Sequence, residues 1–232
     1  MLDLTPIRAI SLDLDDTLWP VWPTIERAER VLHDWLTRHA PAAAELGRDP
    51  TVLRSVREQV QQDWPDRRHD LAAMRQEAIR RLLVRAGEPD QLAGPAFEVF
   101  HAERQRVNLF EDALPLLRAL QSRYPLLAVT NGTADVHRVG LGLFFAHAVN
   151  APTLGKAKPG PEIYHHAARL LGLAPQQVLH IGDDAHLDAW AARNAGMACI
   201  WVNRQGKAWE QPGEPPPTVS GLGEILRWIE SS

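Results

Sequence analysis

The chain has 232 residues, 45% of them hydrophobic and 23% charged, with a formal net charge of −4. This is ordinary globular usage, long enough for one large domain or for a core with a smaller insert. The absence of a basic excess argues against a nucleic-acid binder, and the single cysteine, Cys199, excludes a disulfide framework and reads as a small core hydrophobe. No apolar run approaches the roughly 20 residues needed to cross a bilayer. The N-terminal stretch has no basic region and is interrupted by Asp3, Asp13, Asp15 and Asp16, so it does not read as a signal peptide. The expectation is a cytoplasmic protein that engages no membrane.

In chain order, Ile7–Leu14 is a short apolar run that ends abruptly in carboxylates, and it predicts a buried strand. From Pro23 to about Arg106 the texture becomes helical, with Ile25, Ala28, Val31, Leu32, Trp35 and Leu36 at helical spacing between Glu and Arg. Breaks near Pro41, Gly47–Pro50, Trp64–Pro65 and Gly87–Pro89 predict about four helices there and no strand. Beyond it the pattern alternates. Helices are expected at Ala113–Ser122, Val136–Leu143, Pro161–Leu171, Leu187–Ala195 and Gly223–Ile229, and strands at Leu126–Val129, Ala146–Val149, Val178–Ile181 and Ala198–Val202. Asn203–Pro217, rich in Pro and Gly, reads as an irregular loop. Strands separated by helices imply parallel pairing with right-handed crossovers, hence an open α/β sheet. One strand, an all-helical block, then the rest of an α/β domain implies an insertion. The boundaries are a core of residues 1–20 and 108–232 and a helical domain of residues 21–107.

In open α/β sheets ligands sit beyond the carboxyl ends of the strands. The first strand is followed by Asp13, Asp15, Asp16 and Thr17, the second by Thr130, Asn131 and Gly132, and a later one by Gly182, Asp183, Asp184 and Asp188. Gly155–Pro159 adds Lys156 and Lys158. If these strands are neighbours, the groups converge on one edge. Clustered carboxylates repel unless something positive lies among them. An oxygen-rich set of this kind suits Mg²⁺, while a hydroxyl, loop amides and an ammonium suit a phosphate. A carboxylate nucleophile splits a hard displacement into two easier ones by way of an acyl-phosphate.

Four motifs in order, Asp13-Leu14-Asp15-Asp16-Thr17-Leu18, Thr130-Asn131-Gly132, Lys158-Pro159 and Gly182-Asp183 through Asp188, resemble those of the haloacid dehalogenase-like hydrolases, the phosphatase branch in particular. The resemblance implies an open Rossmann-like, mostly parallel core with an inserted all-helical cap of type 1. It implies that Asp13 attacks phosphorus and ligates Mg²⁺. Asp15 would protonate the leaving oxygen, then deprotonate water, and contact the metal through its carbonyl. Thr130 and the Asn131 amide would hold phosphate oxygens, Lys158 would neutralise charge, and Asp183 would bind the metal. Asp188 would orient metal waters or Lys158 from behind. Asp184 follows Asp183 directly, which leaves the direct ligand open between them, and Lys156 competes with Lys158. Asp16 stands where glycine is common in the family. The dehalogenase branch lacks the acidic residue two positions after its nucleophile, so Asp15 favours phosphate over halide.

The stretches Leu179–Trp201 and Ala128–Gly132, with His69-Asp70 in the cap, are similar to phosphatases of the riboflavin pathway. That likeness implies flavin mononucleotide or 5-amino-6-(5-phosphoribitylamino)uracil as substrate, with a sugar phosphate or nucleotide as the alternative small phosphorylated metabolite. Taken singly, each motif also has a plain reading as a turn, a helix cap or a solvated lysine; their order and strand-end placement carry the argument. Trp19 and Trp22, where the chain leaves for the cap, are candidates to stack on a flat substrate or to pack a hinge. Arg67 and His69 are candidate substrate contacts from the cap, against a solvated-loop reading. A phospho-accepting signalling domain would place its acceptor aspartate on a middle strand. A non-catalytic module on the same fold would be expected to lack Asp13 or Asp15.

Overall fold

The computed structural model describes residues 4–230. Its backbone divides into two compact units, one running to Pro20 and resuming at Asn108, the other Val21–Val107.

The first unit is built on six parallel strands, β1 (Ala9–Leu12), β2 (Leu126–Thr130), β3 (His147–Asn150), β4 (Val178–Gly182), β5 (Ala198–Val202) and β6 (Thr218–Val219), in the order β3-β2-β1-β4-β5-β6. The chain fills one side of β1 first and then returns to fill the other, so the strand order reverses at β1. Every residue of β1, β2 and β4 is buried, as expected of strands covered on both faces, and this is why they read as continuous apolar runs. The edge strands β3 and β6 are partly exposed. The isolated pair of residues in β6 carries no pattern that a sequence reading could detect.

The second unit holds five α-helices, α1 (Val21–His39), α2 (Pro41–Leu46), α3 (Pro50–Asp63), α4 (Leu71–Arg85) and α5 (Ala93–Arg104). That is one more than the sequence breaks suggested. Pro41 does not merely end a helix: it occupies the first position of the next, where its missing N–H costs nothing. Asp49 and Asp70 cap α3 and α4, accepting N–H groups of Thr51 and Ala73. Ala28, Leu32 and Leu36 of α1 meet Leu83 of α4 and Ala96, Phe97 and Phe100 of α5 in a core of this unit's own.

The helices of the first unit are α6 (Ala113–Gln121), α7 (Ala151–Leu154), α8 (Pro161–Leu170), α9 (Ala191–Asn194) and α10 (Leu222–Glu230). Tyr164, Ala167 and Ala168 of α8 and Ala191 and Ala192 of α9 bury one sheet face, formed by Ala9, Leu127, Val129, Val178 and Cys199. Alternation sends Ile10, Leu12, Leu126 and Ala128 to the opposite face. Two helix expectations change. Val136–Leu143 is a series of turns, because Gly140 takes a positive φ of 84° and a Cβ at Gly142 would lie 2.2 Å from His137 Nδ1. The expected Leu187–Ala195 helix opens as a wide π-type stretch, Ala185–Trp190, before tightening into α9. Among the described residues no helix is long and apolar enough to cross a membrane.

Candidate active site

The reversal of strand order at β1 brings the carboxyl ends of β1, β2 and β4 side by side, the place where open α/β sheets bind ligands. Asp13 extends the β1–β4 pairing by one step, donating its main-chain N–H to Ile181 O at 2.9 Å. Carboxylate oxygens of Asp13, Asp183 and Asp188 all lie within 4.8 Å of one another. Lys158 reaches into this group from the loop before α8, with Nζ 2.5 Å from Asp13 Oδ1 and 2.6 Å from Asp188 Oδ1. Asp13 is 6% exposed, Lys158 5% and Asp188 1%.

Each group is held by neighbours. Asp183 Oδ1 accepts the Thr17 hydroxyl at 3.0 Å, and its main-chain carbonyl accepts the Trp201 indole N–H at 2.8 Å. Asp188 Oδ1 faces Lys158 and His180, and its Oδ2 accepts the Asp184 N–H at 3.0 Å. Asp188 comes this close to the end of β4 only because residue 182 is glycine; a Cβ there would sit 2.3 Å from Asp188 Cγ. Asp184 turns its carboxylate away to cap the π-type stretch, accepting N–H groups of His186 at 2.8 Å and Leu187 at 2.7 Å. That geometry separates the two adjacent aspartates: Asp183 faces the cluster and Asp184 caps a helix.

Thr130, buried at the end of β2, accepts the Gly132 N–H through its hydroxyl at 2.9 Å. Asn131 clamps the lysine loop, donating Nδ2–H to Lys158 O at 2.9 Å and accepting Lys158 N–H on Oδ1 at 2.8 Å. Its side chain is thereby oriented by the protein on both its oxygen and its nitrogen. Lys156, more than half exposed, lies 3.8 Å from Glu162 and is not part of the cluster.

The side chain of Asp15, two residues beyond Asp13, accepts the Trp19 indole N–H on Oδ1 at 2.8 Å. The turn between them is closed by Asp16 N–H to Trp19 O at 2.7 Å, with Asp16 at a φ of 56°. Aspartate tolerates this left-handed geometry better than most residues, which accounts for its use where glycine is common. Trp19 is fully buried, so the expectation that it stacks on substrate is corrected: it has no open ring face and serves instead as a donor to Asp15. Trp22, in the other unit, is 69% exposed. Arg67 and His69 also lie in that unit, on the turn between α3 and α4, where Arg67 is exposed with its guanidinium 5.1 Å from the Trp64 ring centre.

The electrostatics follow from burial and count. Burial pushes the Asp13 carboxyl well above the ordinary carboxylate range; Lys158 opposes this, and Asp188 and Asp183 reinforce it. Burial likewise raises Asp183, to about 7, with Asp188 adding to the effect. Burial alone would raise Asp188 too, but Lys158 and His180 outweigh it and hold that carboxyl below its usual range. Burial would lower Lys158; Asp13 and Asp188 more than offset this and raise it. Three carboxylates facing one ammonium leave two negative charges, and the donors are all oxygen, so the set fits a hard divalent cation such as Mg²⁺.

Several supporting roles escaped the sequence reading: Trp19 and Trp201 as donors, the close approach of Asp188 to Gly182, and the pair Ser11 and His180. The last two carried a signal, since each is a polar residue inside a run that otherwise reads as a buried strand.

The model for "haloacid dehalogenase-like hydrolase" matches residues 7–196. The chain is 29% identical over 231 residues to 5-amino-6-(5-phospho-D-ribitylamino)uracil phosphatase YigB of Escherichia coli, 96% of each chain being covered. It is 31% identical over 158 residues to a phosphoserine phosphatase of Thermus thermophilus, covering 66% of this chain and 64% of that protein. Among solved structures, a 2-haloacid dehalogenase from Pseudomonas syringae pv. Tomato superposes with a TM-score of 0.90 at 34% identity, over 97% of this chain and 98% of the other.

Proposed function

This chain belongs to the haloacid dehalogenase-like hydrolases, and from that premise we propose that it hydrolyses the phosphate monoester of a small metabolite through a phosphoryl-Asp13 intermediate. The observation that carries the reading is the meeting of Asp13, Asp183 and Lys158 at one sheet edge, with a second carboxylic acid, Asp15, two residues beyond the nucleophile.

Asp13 attacks phosphorus; the new O–P bond forms as the ester P–O bond breaks, and Asp15 in its acid form gives its proton to the leaving alcohol. Asp15 then takes a proton from water, whose oxygen attacks phosphorus and releases inorganic phosphate, returning the Asp13 carboxylate. The Trp19 indole fixes the Asp15 carboxyl for both steps. Lys158 offsets charge on Asp13 and on the transferring group, while Thr130 and the main-chain N–H of Asn131 hold phosphate oxygens. Mg²⁺, held by the carboxylates of Asp13 and Asp183 and the main-chain carbonyl of Asp15, would neutralise phosphate charge and draw Asp13 into its ionised form. Asp188 holds Lys158 in place, and Asp184 caps the helix behind it.

For the substrate we favour a flavin-pathway phosphate, 5-amino-6-(5-phosphoribitylamino)uracil or flavin mononucleotide, on the strength of the near full-length likeness to the Escherichia coli phosphatase. Arg67 and His69 are the candidate substrate contacts from the helical unit, and Trp22 rather than Trp19 offers an open ring for stacking. A second reading, 2-haloacid dehalogenase, is favoured by the Pseudomonas syringae structure. Asp15 weighs against it, because a departing halide needs no proton. The test is turnover of p-nitrophenyl phosphate, flavin mononucleotide, 5-amino-6-(5-phosphoribitylamino)uracil and a 2-haloacid, each with Mg²⁺ or EDTA and with Asp13→Asn as control. Phosphate release lost in EDTA and in Asp13→Asn supports the proposal. Halide release without phosphate release replaces it with the second reading.

A further inference from the structure

We propose that Ser11 and His180 form a tautomer lock that holds Asp188, and through it Lys158, in the position that phosphoryl transfer requires. The functional half of this inference rests on the reading of Lys158 given above; the structural half does not.

Ser11 and His180 are directly opposed in the parallel pairing of β1 with β4, and both are completely buried. Ser11 Oγ lies 2.9 Å from His180 Nδ1, and His180 Nε2 lies 3.2 Å from Asp188 Oδ1, the oxygen that also receives Lys158. Tyr164 walls the imidazole in, its ring meeting that of His180 edge-on at 5.2 Å while its hydroxyl donates to Leu187 O. A continuous chain of polar contacts therefore runs from Ser11 through His180, Asp188 and Lys158 to Asp13.

A neutral imidazole carries one N–H and one bare nitrogen, and its partners decide which is which. The carboxylate at Nε2 requires the proton there, because a bare Nε2 would turn its lone pair towards the charged oxygen. Nδ1 is then the acceptor, and the Ser11 hydroxyl is its donor. Burial holds the imidazole below its ordinary pKa, which favours this neutral form. With His180 on Oδ1 and the Asp184 N–H on Oδ2, both oxygens of Asp188 are pinned and its plane is fixed. Lys158 has a flexible four-carbon stem, and only a fixed Asp188 keeps its ammonium from collapsing onto Asp13 alone. His180 reaches no reacting atom in this scheme and is a positioning residue.

The experiment combines ¹⁵N NMR of the histidine-labelled chain with kinetics, assigning His180 by the resonance lost in His180→Gln. In the unsubstituted chain Nε2 is expected to bear the proton and Nδ1 to be of the bare, pyridine type; Ser11→Ala should shift Nδ1 and admit the other tautomer. His180→Leu should lower kcat by about 10–100-fold, the usual cost of removing an outer partner of a site. KM should stay within about threefold, because the loss falls on the transition state rather than on binding. His180→Gln should recover much of kcat, since its amide N–H extends to about the same place as Nε2. A proton on Nδ1 in the unsubstituted chain overturns the lock. So does full kcat in both His180→Leu and Ser11→Ala while Asp13→Asn is inactive, and that result leaves the phosphatase reading standing. A chain that hydrolyses no phosphate ester defeats that reading instead, and the NMR result then decides the lock by itself. Ser11→Ala removes only one hydroxyl, so it keeps the test open if His180→Leu does not fold.

Discussion

Protons and Mg²⁺ should compete for Asp183, and the perturbation that reveals this is a change of pH from 8 to 6. With a pKa of about 7, Asp183 is about 0.9 ionised at pH 8 and about 0.1 ionised at pH 6. Mg²⁺ binds the ionised carboxylate, so its apparent affinity should fall about tenfold across that range from Asp183 alone. Asp13 is raised in the same direction and steepens the fall. The stability sign agrees. In the metal-free chain the folded Asp183 holds its proton at pH values where an unfolded aspartate has lost it. The folded state therefore binds more protons, and unfolding free energy drops as pH rises between about 4 and 7, by a few kcal/mol at most. Mg²⁺ should restore that stability above pH 7. Titration calorimetry at pH 6, 7 and 8, in buffers of different ionisation enthalpy, measures both the affinity and the protons released. Asp183 should release about half a proton at pH 7 and close to one at pH 6, with any proton from Asp13 added to this. An affinity that does not change with pH, with no proton released, would refute the reasoning about uncompensated charge.

Two substitutions probe the supporting contacts. Gly182→Ala places a methyl group where Asp188 sits, and should cost about 10–100-fold in kcat by displacing Asp188 and Lys158; unchanged kinetics would show that the close approach is immaterial. Trp19→Phe keeps the buried ring but removes the N–H held by Asp15; it should slow alkyl phosphates about tenfold or more while sparing p-nitrophenyl phosphate, whose leaving group needs little protonation. Equal loss on both substrates would remove the indole from the proton-transfer step.

The central strands were legible in the sequence because burial on both faces writes an uninterrupted apolar run, as in Leu126–Val129 and Val178–Ile181. The strand-end carboxylates were legible for the same reason, since each breaks such a run at its carboxyl end. What stayed hidden depends on tertiary contact. The turns that replace a helix at 136–143 follow from the backbone of Gly140 and the His137 ring above Gly142. Nothing local distinguishes Asp183 from Asp184 until the cap of the π-type stretch claims Asp184. Trp19 left two readings open, stacking on a substrate or packing a hinge, because nothing local sets its exposure; its burial and its hydrogen bond to Asp15 arise only when the turn through Asp16 closes.

The most direct test is chemical capture of the covalent enzyme. The chain is mixed with Mg²⁺ and excess p-nitrophenyl phosphate, quenched in acid within milliseconds, and treated with borohydride, which reduces an acyl-phosphate to the alcohol. Peptide mass spectrometry should then find homoserine in place of aspartate at residue 13, and only when substrate is present. Steady turnover with residue 13 unmodified, or with the reduced residue at Asp15 or Asp183, would contradict the assignment of Asp13 as nucleophile.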